Sequence, residues 1–557
     1  MHENLAMLSF NSPSLLANRL LLLVCLMLPW LNPFTSAPST SVIPLLLSWM
    51  LVACALLLVV DEAPAHQINS DNKWGTFILV WFLVFALTVP EVIDRALTAG
   101  HLAAITCVWI AIQIGKRAAN RDNKFLFWLL MSWLISALIS CAFALLQRFN
   151  LAYYMAPWIN QSPVGIGFAN LRQPNQFASL TSIGLIALFG LVAVSPKICR
   201  SHKWLAWSSL VFLSAGLACS SSRTGALQWF CVSALILATA WKERNRYHPL
   251  LMQLALSGPT FLILWSFAFP WVAMQFNDEM GTSVLLRIVN GAHNYADCGG
   301  RIVLWSNVLE MVAQHPWRGW GLGEADFANF VTDYRGERFC DLLDNAHNLP
   351  LHLALEFGVP FAIAFCAYAT FWMLKCFKRG LVTNERRIAF GVLCVIAIHS
   401  MLEYPLWYGP FQISLGLALG LMPAEVTNSP IKKSKNLRAL VFLTAALFLS
   451  CLCVAWDFNR VTQIYKEPKL RDAKYRNNPM QSANQTWLFK NQIDFARLMT
   501  QTITKENAQE NYDLAIRVLH YSPEPRVAQR AIESLLALGR VQDAERLSRR
   551  MATTATN

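Results

Sequence analysis

The sequence predicts an all-α polytopic membrane protein, and three observations predict it. Of 557 residues, 55% are hydrophobic and only 14% charged, with 21 Trp and 33 Phe. Apolar runs such as LLLLVCLMLPWL, VIPLLLSWMLVACALLLVV and GTFILVWFLVFALTV belong to segments of about 20 residues, the length that crosses a bilayer as a helix. From the fourth helix onward the Lys and Arg residues gather in every second loop. A soluble chain of this length would mix apolar and polar segments throughout.

About thirteen spans follow in order: 14–32, 41–60, 75–90, 97–115, 125–147, 176–195, 204–220, 224–241, 250–272, 347–374, 387–403, 409–424 and 438–456. Residues 20–32 resemble the core of a signal peptide, but further spans follow at once, so this segment reads as a retained first helix. The net charge of +13 is informative by position. Lys116, Arg117, Arg121 and Lys124 fill one loop; Lys197, Arg200 and Lys203 another; Lys242, Arg244 and Arg246 a third. Lys375, Lys378, Arg379, Arg386 and Arg387 follow, then Lys432, Lys433, Lys435 and Arg438. The positive-inside rule makes these loops cytoplasmic, so the basic balance reports orientation and gives no sign of a nucleic-acid partner.

By alternation the other side receives 148–175, the CSSSRTG junction, the long segment 273–346, the EYPLWYG turn and the tail from 457. The expected division is a transmembrane domain over 1–456, with 273–346 as its large outer loop, and a C-terminal outer domain over 457–557. Of 14 Cys most lie inside spans, where they serve as small apolar residues. Cys298 and Cys340 both lie in the outer segment, where an oxidising compartment would allow a disulfide between them. The tail carries apolar or alanine positions at helical spacing, broken at SPEP and LGR. It reads as a small set of paired helices, similar to a tetratricopeptide hairpin, that caps the membrane domain or holds a protein partner.

The chemically unusual residues fall on that outer side. A lone arginine at a membrane edge often only snorkels. Arg223, however, is flanked by Ser220, Ser221, Ser222, Thr224 and Gly225 at a helix N-terminus, a favourable place for a phosphate. Arg301 follows two glycines and opens an amphipathic helix, and Arg318 lies in HPWRGWGLG. Two arginines can clamp a diphosphate and stabilise the charge that leaves with it. His347 stands among Asp344, Asn345 and Asn348. His352 and Glu356 share one helical face, and His399 and Glu403 form a second i, i+4 pair. A structural histidine at a helix end is the bland alternative, and a metal site the sharper one. With no tight ligand motif, the residues point to His347 as general base for a hydroxyl nucleophile and to no metal.

The HNLPLHLALEFG helix, the SRTG junction, the HPWRGWGLG turn and the span count look like the O-antigen ligase and polymerase superfamily. NLRQPNQFAS and HSMLEYPLWYGPF resemble the PglL-type bacterial O-linked oligosaccharyltransferases. The resemblance covers most of 1–456 and continues into the tail. It implies transfer of a preassembled oligosaccharide from undecaprenyl diphosphate to Ser or Thr of a periplasmic protein, often a pilin, by an enzyme of the bacterial inner membrane whose site faces the periplasm. It also implies His347 as the essential histidine, Arg223 and Arg301 on the donor diphosphate, and no cofactor; Arg318, read from its motif, is a third candidate for the diphosphate. The glutamine and tyrosine motifs imply substrate-positioning roles for Gln173, Asn175, Gln176, Glu403 and Tyr404, without saying which glutamine acts. An O-antigen ligase with a lipid A core acceptor and an O-antigen polymerase share this chemistry. A transporter would place ionisable groups at several depths and repeat itself internally, and neither pattern is seen.

Overall fold

The computed structural model describes residues 13–35, 41–59, 94–119, 123–163, 165–196, 201–242, 249–275, 298–340, 343–422 and 437–555. The expected span 75–90, residues 276–297 of the long segment, and the basic residues Arg121, Lys197, Arg200, Arg244, Arg246, Lys432, Lys433 and Lys435 lie outside these. Among the described residues all regular structure is helical and there is no strand.

The longer helices are α1 (Pro13–Leu31), α2 (Val42–Val59), α3 (Arg95–Ala119), α4 (Asn123–Arg148) and α5 (Pro174–Val194). Next come α6 (Lys203–Ser220), α7 (Arg223–Lys242), α8 (Pro249–Gln275), α9 (Arg301–Gln314) and α10 (Ala325–Val331). Then follow α11 (Leu349–Phe357), α12 (Val359–Lys378), α13 (Asn384–Ser400), α14 (Gly409–Leu421) and α15 (Leu437–Thr462). The tail adds α16 (Lys490–Thr500), α17 (Ala508–Tyr521), α18 (Pro525–Ala537) and α19 (Val541–Ala555). Eight of the described helices are long and apolar enough to cross a membrane: α2, α3, α4, α5, α7, α8, α12 and α15. This is a multi-pass membrane protein.

Two boundaries differ from the sequence reading. The expected span 347–374 is two helices, because Gly358 adopts φ +87° and ends α11 after nine residues. A side chain there would strike the Trp317 carbonyl oxygen at 2.4 Å, and only glycine combines that conformation with that approach. His352 and Glu356 therefore ride on a separate short helix and not at the mouth of a span. The expected domain boundary at 456/457 falls inside α15, which runs to Thr462.

The chain divides into two compact units. The first comprises Met1–Asn72, Ala104–His293 and Trp372–Cys451. Its central helix is α5, buried at every position from Gln176 to Val194 except Ala193 and surrounded by α4, α6, α7 and α13. Gly416 and Gly420 of α14 lie directly against backbone carbonyls of α3, and Gly115 returns the contact against Leu417, the close approach that small residues permit between membrane helices.

The second unit comprises Lys73–Ala103, Asn294–Phe371 and Leu452–Asn557, so the tail shares a unit with the segment before α11. Leu304, Val308 and Met311 of α9 pack with Leu353 and Leu355 of α11. Buried Asn307 stitches the following strap in place: it donates to the Glu337 carbonyl (2.9 Å) and accepts from the Phe339 amide (2.8 Å). In the tail, α18 buries Val527, Ala528, Ala531, Ser534 and Leu535, one stripe at helical spacing. Residues 522–524 and 538–540 turn the chain between helices, where SPEP and LGR stand. Phe330 of α10 enters the tail's core beside Leu498, Leu514 and Val518.

Candidate active site

In the first unit, the site residues gather where α5 begins. Pro174 occupies the first turn, where its missing N–H costs nothing, and it holds Gln173 extended. From there the Gln173 side-chain amide donates to Glu403 Oε2 at 3.1 Å. Asn175 donates to Glu403 Oε1 at 2.8 Å. Each oxygen of the buried Glu403 thus receives an amide N–H. The far side of Asn175 accepts from the Ser222 hydroxyl at 2.6 Å, and Ser222 Oγ in turn accepts the Gly225 amide at 3.1 Å. Ser222 caps α7, whose first residue is Arg223, with its side chain exposed.

Gln176 lies within α5, fully buried, and its amide nitrogen finds no hydrogen-bond partner among the described residues. Tyr404 is half-buried, its ring 5.0 Å from that of Trp407 and stacked on Tyr408 at 6.0 Å. Beneath this cluster a second polar layer is entirely buried. His399 Nδ1 meets Ser179 Oγ at 2.9 Å. Gln228 of α7 donates to Ser179 Oγ (2.9 Å) and the Val395 carbonyl (3.2 Å), and accepts from Ser182 (2.9 Å). His399 and Glu403 thus have separate partners instead of acting as one ligand pair.

In the second unit, His347 is half-buried and adopts φ +49°, a left-handed conformation rare for a residue with a Cβ. Such strain persists only where surroundings impose it, and it recurs at functional sites. Here Asn345 accepts the His347 amide at 2.7 Å, Trp305 Nε1 donates to the Ala346 carbonyl at 3.0 Å, and Asn348 caps α11 by accepting from Leu351 at 3.0 Å. Half-buried Asp344 is held above the usual carboxylate range by burial, with the His347 and His352 imidazoles pulling the other way.

Along α11, His352 Nε2 stands 3.6 Å from Glu356 Oε1. Burial pushes the Glu356 carboxyl up to about 7 and the His352 imidazole down to about 4. At neutral pH the imidazole is therefore neutral and the carboxyl about half protonated, so the contact is not a salt bridge, because burial penalises both charged forms. The glycine turn of HPWRGWGLG closes the C-terminal end of α11. Trp320 and Gly321 donate their amides to the Leu355 (2.8 Å) and Glu356 (3.0 Å) carbonyls, and the Gly323 amide reaches Glu356 Oε1 at 2.7 Å. Gly319 and Gly323 hold φ of +69° and +76°, and a Cβ at Gly319 would meet the Glu356 carbonyl at 2.4 Å. Arg301 opens α9, and exposed Arg318 lies beyond its other end, on the order of 20 Å along the axis, so these two arginines do not form a pair. The Cys298 and Cys340 sulfurs are 2.18 Å apart, with Cα atoms 5.4 Å apart.

Residues 208–366 match the family model of the O-antigen ligases. Residues 388–554 match that of the virulence factor membrane-bound polymerases, C-terminal part. A third model, protein glycosylation ligase, matches 168–189, the loop and first turns that carry Gln173, Asn175 and Gln176. A general O-oligosaccharyltransferase of Acinetobacter baylyi is 24% identical over 481 residues, covering 82% of this chain and 77% of that protein. The chain is a PglL-type member of the O-antigen ligase superfamily. A ComP-specific O-oligosaccharyltransferase of the same organism is 23% identical over 428 residues, 74% of this chain and 73% of its own. A putative polysaccharide ligase of Rickettsia prowazekii is 26% identical over 151 residues, 26% of this chain and 35% of its own.

A PglL-type ligase is a glycosyltransferase. Of its expected site residues the fold joins Gln173, Asn175 and Glu403 directly, and brings Arg223 next in the chain to their partner Ser222. Sequence reasoning named Ser222 only as a neighbour of Arg223, and missed Ser179 and Gln228. Gln228 left a signal, since an amide inside an apolar span must find a partner.

Proposed function

We propose that this ligase moves a preassembled oligosaccharide from undecaprenyl diphosphate to a Ser or Thr hydroxyl of a periplasmic protein such as a pilin. The observation that carries the reading is the protein glycosylation ligase match on 168–189, the stretch whose amides grip Glu403. The donor sugar is already activated, so the protein needs to supply positioning, charge stabilisation and a base. His347 takes the hydroxyl proton as that oxygen attacks the anomeric carbon. The bond from that carbon to the phosphate oxygen breaks, the diphosphate departs with the electron pair, and one-step displacement inverts the anomeric configuration. Arg223 and Arg301 hold the diphosphate, while Gln173, Gln176 and Tyr404 orient substrate; Arg318, beyond the far end of α9 from Arg301, is left out of that clamp. Neither a metal nor a cofactor takes part.

The orientation belongs to the same proposal. Thirteen spans in the inner membrane leave the tail, a tetratricopeptide-like domain over 457–557, in the periplasm beside the 273–346 segment, where Cys298 and Cys340 oxidise to a disulfide. Reporter fusions after 120, 245, 380 and 434 should read cytoplasm, and fusions near 160, 330 and 500 periplasm. A cytoplasmic reading at 500 would remove the tail from the catalytic side.

A second reading rests on the O-antigen ligase and polymerase matches over 208–366 and 388–554, and gives the glycan to a lipid A core or another glycan. Co-expression with a lipid-linked glycan pathway, a candidate pilin and a lipid A core acceptor separates the two. The first reading predicts a glycan mass on the pilin; modified lipid A core with unmodified pilin would support the second.

A further inference from the structure

The polar cluster at the start of α5 is connected in one direction, and its end is an arginine. Both Glu403 oxygens accept, so Asn175 turns its NH₂ toward Glu403 and leaves its carbonyl facing Ser222. Ser222 must then donate its hydroxyl hydrogen to Asn175, which leaves its oxygen lone pairs for the Gly225 amide. Glu403 thereby dictates which way each group in the series points, as far as the cap of α7. The link between α6 and α7 is only Ser221 and Ser222, and Ser221 is in the left-handed region at φ +51°. The Ser222 bonds help set where the first residue of α7 begins, and that residue is Arg223.

The rest of α7 is held independently. Gln228 ties it to Ser179 and Ser182 of α5 and to Val395 of α13. Gly225 packs so closely on Ala178 that an added Cβ would stand 2.5 Å from the Ala178 Cβ. Loss of the Asn175–Ser222 link therefore loosens the first turn of α7 without displacing the helix.

We infer that Glu403 is a positioning residue for Arg223, acting through Asn175 and Ser222, and not a group that touches substrate. Both its oxygens are already engaged by amides, and the residue is only 5% exposed. The inference rests on the assignment of Arg223 to the donor diphosphate made above.

The test is the donor-concentration dependence of transfer by the reconstituted full-length chain. Glu403→Gln forces one amide to face another donor and should raise the donor KM about five- to tenfold, with kcat within about twofold. Ser222→Ala should do the same, while Ser222→Thr, which keeps the hydroxyl, stays close to the unaltered enzyme. In an Arg223→Lys background, which retains a charge and measurable turnover, Glu403→Gln should add less than about twofold, because the geometry it protects is already lost. If the full factor recurs in that background, or if Glu403→Gln raises the acceptor KM instead, the inference is overturned. Should Glu403→Gln fail to fold, the Ser222 pair decides: equal donor KM for Ser222→Ala and the unaltered chain overturns it. A normal donor KM for Arg223→Lys alone would instead refute the diphosphate assignment, and the inference would fall with it.

Discussion

Around the start of α5, Gln173, Asn175, Glu403 and Ser222 satisfy one another, and Gln228, Ser179, Ser182 and His399 form a closed layer below. Around His347 the chain is built differently. The backbone is forced into φ +49°, the helix that follows lasts nine residues, and its two ionisable side chains, His352 and Glu356, are both pushed toward their neutral forms. Amides and hydroxyls paired with one another hold a shape, whereas a strained backbone turn recurs at functional sites. On the reading proposed above, the first region places an arginine and the second carries the proton transfer.

The sharpest way to break that contrast is His347→Ala. Loss of a general base costs about 10²–10⁴-fold in rate, and transfer should fall by that factor while the chain stays folded and inserted. His352→Ala and His399→Ala serve as controls. If either one abolishes transfer in a folded, inserted chain while His347→Ala does not, the base lies elsewhere.

Stability effects come next. The Cys298–Cys340 bridge spans a separation of 42 residues. Replacing both with Ser should destabilise the second unit by about 4 kcal/mol in the chain-entropy account, measured as earlier protease cleavage between 298 and 340 on heating. Free labelling of both thiols in unreduced, unfolded protein would refute the bridge.

Glu356 supplies a pH test whose sign is fixed. Its folded pKa is raised, so its contribution to stability is fully present below about 4.5 and is lost as pH climbs through about 7. His352 runs the opposite way between about 6.5 and about 4, which masks the trend in the native chain. Glu356→Gln removes one arm. Relative to the native chain the variant should gain on the order of 3 kcal/mol between pH 4.5 and pH 7 and then level off. A constant difference across that range would mean the carboxyl is not buried as described.

The smallest effect belongs to the scaffold. Ser222→Ala removes a helix cap worth about 1 kcal/mol, a shift in thermal midpoint of only a few degrees. A loss several times larger would show that the α5 cluster bears much of the fold's stability and is no mere aligner.

These contrasts also mark what could be read from the amino acids alone. Membrane helices declare themselves through long apolar runs, and SPEP and LGR punctuate the tail where its helices turn, because Pro and Gly act locally. The break between α11 and α12 was hidden, since apolar residues continue across Gly358 and the glycine's reason to be there is the Trp317 carbonyl, 41 residues earlier in the chain. His347, Gln173 and Glu403 stood out as polar groups beside spans. Their bonding did not: Gln173 and Glu403 are 230 residues apart, and no local pattern encodes such a pairing.

One reconstitution tests the central claim most directly. The purified chain in vesicles, given only a lipid-diphosphate-linked oligosaccharide and a candidate protein acceptor, should add one glycan mass to that acceptor, with fragmentation placing it on Ser or Thr. The His347→Ala chain should add none over the same interval. Transfer at undiminished rate by His347→Ala, or glycan passing to lipid or to other glycans while the protein stays unmodified, would contradict the account.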